Sequence, residues 1–271
     1  QRSYGPWPDA MSQLVPSELW PSTKLMSSFP RPWFYCGGWA IDLWLGKTTR
    51  AHQDVEVGIF REDQGDLQGH LKDWALTKVI PGQRGNAAPW SSGEYLSLPI
   101  HEVYARRGDE QLEILFNERR GDLWAYRRQL TIDLPLARAI QRTKSGVPYL
   151  APEIVLLFKS TSQRAVDLAD FQNVAPTLDS QARAWLRTSI AATAGADHPW
   201  LAQLPKGKAT SLGVPSEYLS IAQVAERLNV AVHTVRAWRR GGEFAPAYLF
   251  GRLPRWKIKD VDAWAEGKKE K

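Results

Sequence analysis

The residues with the clearest chemical promise lie between positions 34 and 60, FYCGGWAIDLWLGKTTRAHQDVEVGIF. Asp54 and Glu56 stand two apart in a stretch that alternates apolar and polar residues. Side chains at i and i+2 of a β-strand share a face. Residues 52–60 therefore read as a strand with Val55, Val57 and Ile59 on one side and Asp54, Glu56 and Gly58 on the other. Two neighbouring carboxylates can share one or two divalent cations, and Mg²⁺ favours such oxygen ligands with phosphate oxygens completing its shell. The same pattern also describes an amphipathic strand whose acidic face meets water. Upstream, Gly37 and Gly38 fall between an expected strand over residues 31–36 and an expected helix over 39–45, which Gly46 ends. A glycine pair there lets the backbone approach a phosphate, whose charge a helix N-terminus favours. It is equally a plain tight turn. The spacing is neither a Walker A loop nor a dinucleotide fingerprint.

A third acid and a lysine extend the set. Residues 100–105 and 111–116 read as a strand pair joined by a turn at 106–109. Leu112, Ile114 and Phe116 share one face, so Glu113 lies on the other. If the strands are neighbours, Glu113 reaches Asp54 and Glu56, and three carboxylates on adjacent strands suit two-metal chemistry. Alone, Glu113 is an exposed strand residue. Residues 150–178 open a helical part, with Pro152 early in a helix and an apolar stripe of Ile154, Leu157 and Phe158. Lys159 projects from that helix; Arg164, Asp167 and Asp170 follow, the two acids sharing a helix face. One reading gives Lys159 to a triphosphate and the acids to substrate orientation. The other is a bundle helix with its charges in water. A further helix is expected over 181–190, a helical segment over 67–76, a loop over 82–93, and short helical turns near 12–20.

The elements that position these residues must come from a chain of 271 residues, 43% hydrophobic, which is enough for two domains with real cores. Thirteen Trp fit large core fillers and amphipathic anchors. One cysteine, Cys36, excludes an internal disulfide and points to a reducing compartment. No apolar run has the length of a membrane span and no secretory leader opens the chain, so a soluble cytoplasmic protein with no membrane partner is expected. The net charge of +6 is uneven: residues 216–271 carry 11 Lys and Arg against 7 Asp and Glu. That excess suits a phosphate backbone.

Residues 205–216, PKGKATSLGVPS, have linker composition, and we place the linker at 208–217. Beyond it, Ser220 and Gln223 form a capping box for a helix. A turn at Asn229 leads to a second, basic helix over 231–240, with His233, Thr234, Arg236, Arg239 and Arg240 facing outward. This is a helix-turn-helix pattern, whose second helix enters a DNA major groove. A hairpin wing over 248–258 supplies Arg252, Arg255 and Lys257 for phosphates, and a closing helix spans 260–266. A small interaction domain that binds no nucleic acid is the competing reading.

Taken together, GGWAIDLWLGKTTRAHQDVEVGIFR, WAYRR, GVPYLAPEIVLLFKS, RAVDLADF and HPWL resemble the aminoglycoside-2″-adenylyltransferase group of nucleotidyltransferases over residues 31–204. The resemblance implies an α/β (α+β) fold in a domain at 1–207, with a mixed core sheet at about 31–135 and a helical part at about 150–204. It implies transfer of a nucleoside monophosphate, AMP, from a Mg²⁺-bound NTP (ATP or another) to a hydroxyl acceptor such as an aminoglycoside-like antibiotic, with two Mg²⁺ ions. By position, Gly37 and Gly38 would hold phosphates. Asp54, Glu56 and Glu113 would bind metal, with Glu113 also a general base. Lys159 would neutralise the triphosphate, and Arg50 and His52 would shape the site. The family's pair is usually Asp-x-Asp; here it is Asp54-x-Glu56, and one extra methylene shifts the cation enough to weaken catalysis. Residues 218–271 resemble excisionase or MerR-type winged helix-turn-helix modules, which implies double-stranded DNA as partner and a homodimer, because one short module contacts little DNA. The alternative function is a transcriptional regulator or toxin–antitoxin component whose nucleotidyltransferase domain senses a ligand or modifies a macromolecule.

Overall fold

The computed structural model describes residues 15–82, 87–162, 164–204, 218–219, 221–250 and 253–268. The expected linker, Ser220 and Arg252 lie outside the described residues. The chain divides into two compact units, residues 1–210 and 211–271.

The first unit runs α1 (Trp20–Ser27), β1 (Trp33–Tyr35), α2 (Gly37–Leu45), β2 (Glu56–Phe60), α3 (Gln64–His70), β3 (Ala75–Val79) and β4 (Ala87–Pro89). It continues with β5 (Glu102–Arg107), β6 (Glu110–Arg120), β7 (Leu123–Ala125), β8 (Asp133–Pro135), α4 (Leu136–Ala139), β9 (Ile140–Arg142) and β10 (Pro148–Leu150). The helices α5 (Pro152–Lys159), α6 (Ala165–Val174) and α7 (Ser180–Ala194) close it. The sheet order is β4-β3-β5-β6-β2-β1-β10-β9, with β7 and β8 branching from β6. β1 with β10 and β2 with β6 are parallel pairs and the others are antiparallel, so the sheet is mixed. The parallel pairs lie at its centre, where both faces are covered: Trp33, Phe34 and Tyr35 of β1 are all buried. The Tyr35 hydroxyl is held by Ser22 (2.6 Å) and Thr23 (2.8 Å), which ties α1 to the sheet.

α5 starts at Pro152, whose missing N–H costs nothing at a first turn, and it is buried almost all round between α2, α6 and α7. α7 begins at Asp179, whose carboxylate accepts from the Ala182 N–H at 2.7 Å. Trp124 and Trp185 are fully buried and meet edge-on, and Trp124 also meets Phe158. These tryptophans are core fillers.

Several expected boundaries move. The strand expected over 52–60 begins at Glu56. Upstream, the Asp54 carbonyl accepts from the Trp39 indole (3.1 Å) rather than from a neighbouring strand, so Asp54 sits exposed in the lead-in. The helix expected over 67–76 stops at His70, and Ala75–Val79 instead pairs with β5. The loop expected over 82–93 contains β4, paired with β3. The turn after β5 shortens to two residues, Gly108 and Asp109, and the positive φ of Gly108 (57°) suits a hairpin turn.

The second unit comprises β11 (Tyr218–Leu219), α8 (Ile221–Arg227), α9 (Val232–Arg240), β12 (Tyr248–Phe250), β13 (Leu253–Lys257) and α10 (Ile258–Glu266), with strand order β11-β13-β12. Asn229, at φ 54°, makes the tight turn between α8 and α9. Val224, Val235, Trp256 and Val261 form its small buried core. Arg227 clasps Asp262 through two bonds of 2.7 and 2.8 Å, which ties α8 to α10.

Candidate active site

A cleft of about 770 Å³ opens where the N-terminal end of β2 and the helices α5 and α6 face one another across the loop of residues 46–55. β2 and β6 run parallel with Glu56 opposite Glu113, so both carboxylates line the cleft from neighbouring strands. Asp54, two residues upstream of Glu56, lines it as well. β5 adds Glu102, and Tyr104 lies beside Glu113 in the register.

The electrostatics follow from that crowding. Burial pushes Glu113 up to about 8, helped by Glu56, Glu102 and Asp54. Glu56 is also raised, chiefly by burial, against the opposing pull of Lys159. Tyr104 hydrogen-bonds Glu102, and this bond, with burial and the nearby carboxylates, holds the phenol above its ordinary range. Among the described residues no three His, Cys, Asp or Glu side chains are already gathered as a metal cage. The chemistry of the donor set fits a divalent cation nonetheless: these are hard oxygen ligands whose ionised forms repel one another, and a cation relieves that repulsion.

Gly37 opens α2 at φ 54°, and a Cβ added there would fall 1.3 Å from Glu56 Oε2. The Glu56 carboxylate thus rests on the glycine and accepts from the Gly38 N–H. It fills the anion position at the helix start. A Cβ on Gly38 would strike the Arg50 and His52 side chains at 2.5 Å. Gly37 is held to glycine by its left-handed φ and Gly38 by the packed His52 ring, and the approaching groups are the chain's own.

Asp42, buried in the middle of α2, fixes the loop that delivers them. Its Oδ2 accepts from His52 Nε2 (2.6 Å), and its Oδ1 from the Thr49 N–H (3.1 Å) and hydroxyl (2.5 Å). His52 also packs on Trp39, ring centroids 4.2 Å apart.

Lys159 does not stand free. Its ammonium donates to Asp167 (2.7 Å) and pairs with Asp170 (2.9 Å), both acids being buried on α6. Arg164 clasps Asp167 (2.7 and 3.0 Å) and Arg50 reaches Asp170 at 3.5 Å. Bonds from Arg164 and Lys159 hold Asp167 below the usual carboxylate range despite burial. Three cations thus share two acids along the wall facing the carboxylates. His198 Nε2 lies 2.9 Å from the Ser160 carbonyl while its Nδ1 accepts from the Trp200 N–H, which pins the turn after α5.

Sequence reasoning missed three features of this site. Asp42 was a polar residue inside an apolar helix, which is a readable signal. Glu102 opens its strand and carried none. Arg127 and Arg128 stood in WAYRR without a role; both line the cleft, with guanidinium carbons 4.5 and 5.5 Å from the Phe158 ring.

In the second unit, His233, Arg236, Arg239 and Arg240 of α9 are exposed, and Thr234 is half-buried with its N–H bonded to the Ala231 carbonyl. Arg255 lies on the β12–β13 hairpin. Lys257 sits over the rings of Tyr218 and Tyr248, at 5.5 and 5.0 Å.

A mixed sheet that sets carboxylates of parallel strands beside a glycine-opened helix, with a helical part completing the cleft, defines a nucleotidyltransferase. The chain belongs to the aminoglycoside-2″-adenylyltransferase family, whose profile matches residues 22–172, more than half its length. Residues 218–269 match a helix-turn-helix domain. Solved structures to which the chain is similar include the antibiotic-resistance factor ANT(2″)-Ia in solution (15% identity, covering 64% of this chain and 88% of that one, TM-score 0.44). Others are ANT(2″)-Ia with adenylyl-2″-tobramycin (14%, 65% and 98%, TM-score 0.46) and the lincosamide antibiotic adenylyltransferase LnuA with lincomycin bound (16%, 59% and 96%, TM-score 0.43). No curated protein matches the chain. Among the described residues no helix is long and apolar enough to cross a membrane.

Proposed function

We propose that the first unit transfers a nucleoside monophosphate, AMP, from a Mg²⁺-bound NTP to a hydroxyl of a small acceptor, and that the second unit binds double-stranded DNA. The single observation that carries the first part is the parallel register of Glu56 and Glu113 beside the Gly37–Gly38 helix start. Asp54, Glu56 and Glu113 would hold the metal, which when bound would neutralise phosphate charge and orient the triphosphate. Gly38 offers its N–H to a phosphate once Glu56 turns away from it. Lys159, Arg50 and Arg164 offer positive charge to the leaving pyrophosphate. Glu113 takes the proton of the acceptor hydroxyl. The hydroxyl oxygen then bonds to the α-phosphorus as the bond to pyrophosphate breaks. Burial raises this carboxyl in the absence of metal; a bound cation would draw it back to the ionised form that can accept the proton.

The test is pyrophosphate release from ATP and Mg²⁺ with an acceptor panel that includes tobramycin, lincomycin and hydroxyl compounds bearing a carboxylate or phosphate, comparing wild type with Asp54→Asn and Glu113→Gln. Loss of release in both variants supports the assignment; equal release in all three defeats it. For the second unit, the exposed basic face of α9 carries the reading.

One observation favours a regulatory reading beside the enzymatic one. The Glu56 carboxylate occupies the helix-start position that a phosphate needs. A domain that binds nucleotide but turns it over slowly, coupled to a DNA-binding module, would suit a ligand sensor.

A further inference from the structure

Arg127 is a member of this cleft whose chemistry the transfer reaction leaves unused. It follows the fully buried Tyr126 just after β7, half-buried, and its guanidinium lies over Phe158. Its Nη1 is shut from solvent and has no hydrogen-bond partner. Burial, and then the adjacent Arg128, pull its pKa down to about 10, so the charge is held at a cost that an anion would offset. Arg128 beside it is anchored, donating to Thr161 and to the Tyr126 hydroxyl. Lys159, Arg164 and Arg50 are already committed to Asp167 and Asp170. Asp54, Glu56 and Glu113 are the carboxylates the proposed reaction assigns to metal. The charged groups that remain on the lining for an acceptor are one carboxylate, Glu102, already bonded by Tyr104, and two guanidiniums. Such a lining repels an acceptor carrying several ammonium groups and attracts one carrying an oxyanion.

Resting on the transfer reaction proposed above, we infer that Arg127 seats an oxyanion of the acceptor, a carboxylate, phosphate or sulfate group, and that the acceptor is an anionic hydroxyl compound rather than a polycationic aminoglycoside. Arg128 holds its neighbour's surroundings through the Thr161 and Tyr126 hydroxyls, and Phe158 presents a flat face to the Arg127 guanidinium.

The experiment uses the full chain and two steps. Binding of a non-hydrolysable ATP analogue with Mg²⁺ is measured first, by calorimetry, for wild type, Arg127→Gln and Arg127→Lys. Sulfate is then titrated into the loaded proteins, and kanamycin in a parallel series at the same ionic strength. Saturable sulfate binding in wild type, weakened at least tenfold in Arg127→Gln and partly recovered in Arg127→Lys, with no kanamycin binding, is the expected result. Saturable kanamycin binding, or sulfate binding that is absent or indifferent to Arg127, overturns the inference. If Arg127→Gln instead weakens the analogue, the guanidinium belongs to the donor and the inference also falls. Failure of wild type to bind the analogue at all counts against the transfer reaction, and is read in the first step before sulfate is added.

Discussion

Glu113→Gln should make the metal-free protein more stable, and increasingly so as pH rises. The native carboxyl titrates at about 8 and the ordinary value is 4.5. Below pH 4.5 both folded and unfolded chains hold the proton, so wild type and variant should melt alike. Between 4.5 and 8 the unfolded chain releases the proton while the native one keeps it, so wild-type stability falls as pH rises. Above 8 the loss is complete. At 1.36 kcal/mol per unit the ceiling is about 5 kcal/mol, and solvent in the open cleft reduces it to roughly 1–3 kcal/mol. The neutral, near-isosteric glutamine escapes this loss. For a unit of this size, 1 kcal/mol corresponds to about 2–4 °C in Tm. Melts in EDTA at pH 4.5, 6, 7.5 and 9 should therefore show a gap opening from none to about 5 °C, while the variant loses pyrophosphate release. A variant equal to or below wild type at pH 9 would refute the account of why this carboxyl is raised.

Other changes test the neighbouring parts. Glu56→Asp withdraws the carboxylate from Gly37, freeing the helix start; analogue affinity and turnover should rise, turnover by up to about 10²-fold, read by steady-state kinetics. Gly37→Ala must displace Glu56 and strain a residue at φ 54°, so it should cost about 1–3 kcal/mol in chemical denaturation and abolish release. Asp42→Ala strands His52 and Thr49 and should lower stability by about 3 kcal/mol, with nucleotide affinity falling because Arg50 and His52 lose their seat over Gly38. Replacing Arg236, Arg239 and Arg240 with alanine should weaken binding to duplex DNA and flatten its dependence on log salt by about 0.9 for each phosphate no longer neutralised, measured by fluorescence anisotropy over a salt series.

Much of this fold is legible because its signals are local. Alternating residues place Leu112, Ile114 and Phe116 against the core and Glu113 away from it, and the burial pattern of β6 agrees. Pro152 and Gly46 mark a helix start and a helix end through their own backbone limits. What the pattern could not hold is whatever depends on partners distant in sequence. Alternation at Asp54 looks like strand, yet its carbonyl is claimed by Trp39, fifteen residues back, and the ladder starts two residues later. Residues 75 and 76 close the stretch expected to be helical, and pairing with β5 and β4 makes 75–79 strand. For the site, the acids were readable as types, but nothing in their spacing told that Lys159 is already clasped by Asp167 and Asp170 or that Glu102 stands close to Glu113.

The clasp around Lys159 changes what the cleft's positive wall is for. These ion pairs contribute little net stability, because desolvation offsets attraction at the buried Lys159, Asp167 and Asp170 and solvent screens the exposed Arg164. Five charges from the β2 lead-in, α5 and α6 are therefore poorly explained as a stabilising device for this unit. Their geometric effect is firmer. Asp167 and Asp170 fix the Lys159 ammonium, and Arg164 and Arg50, bound to the same acids, also line the cleft. A phosphate entering there need not order three long, flexible side chains, since the acids have already done so. It would compete with two carboxylates for three cations, which carry a surplus of one positive charge. On the opposite wall Glu56 and Glu113 supply the complementary carboxyls, their pKa values raised by burial. The cleft thus sets one wall of paired charges against another of carboxyls raised by burial.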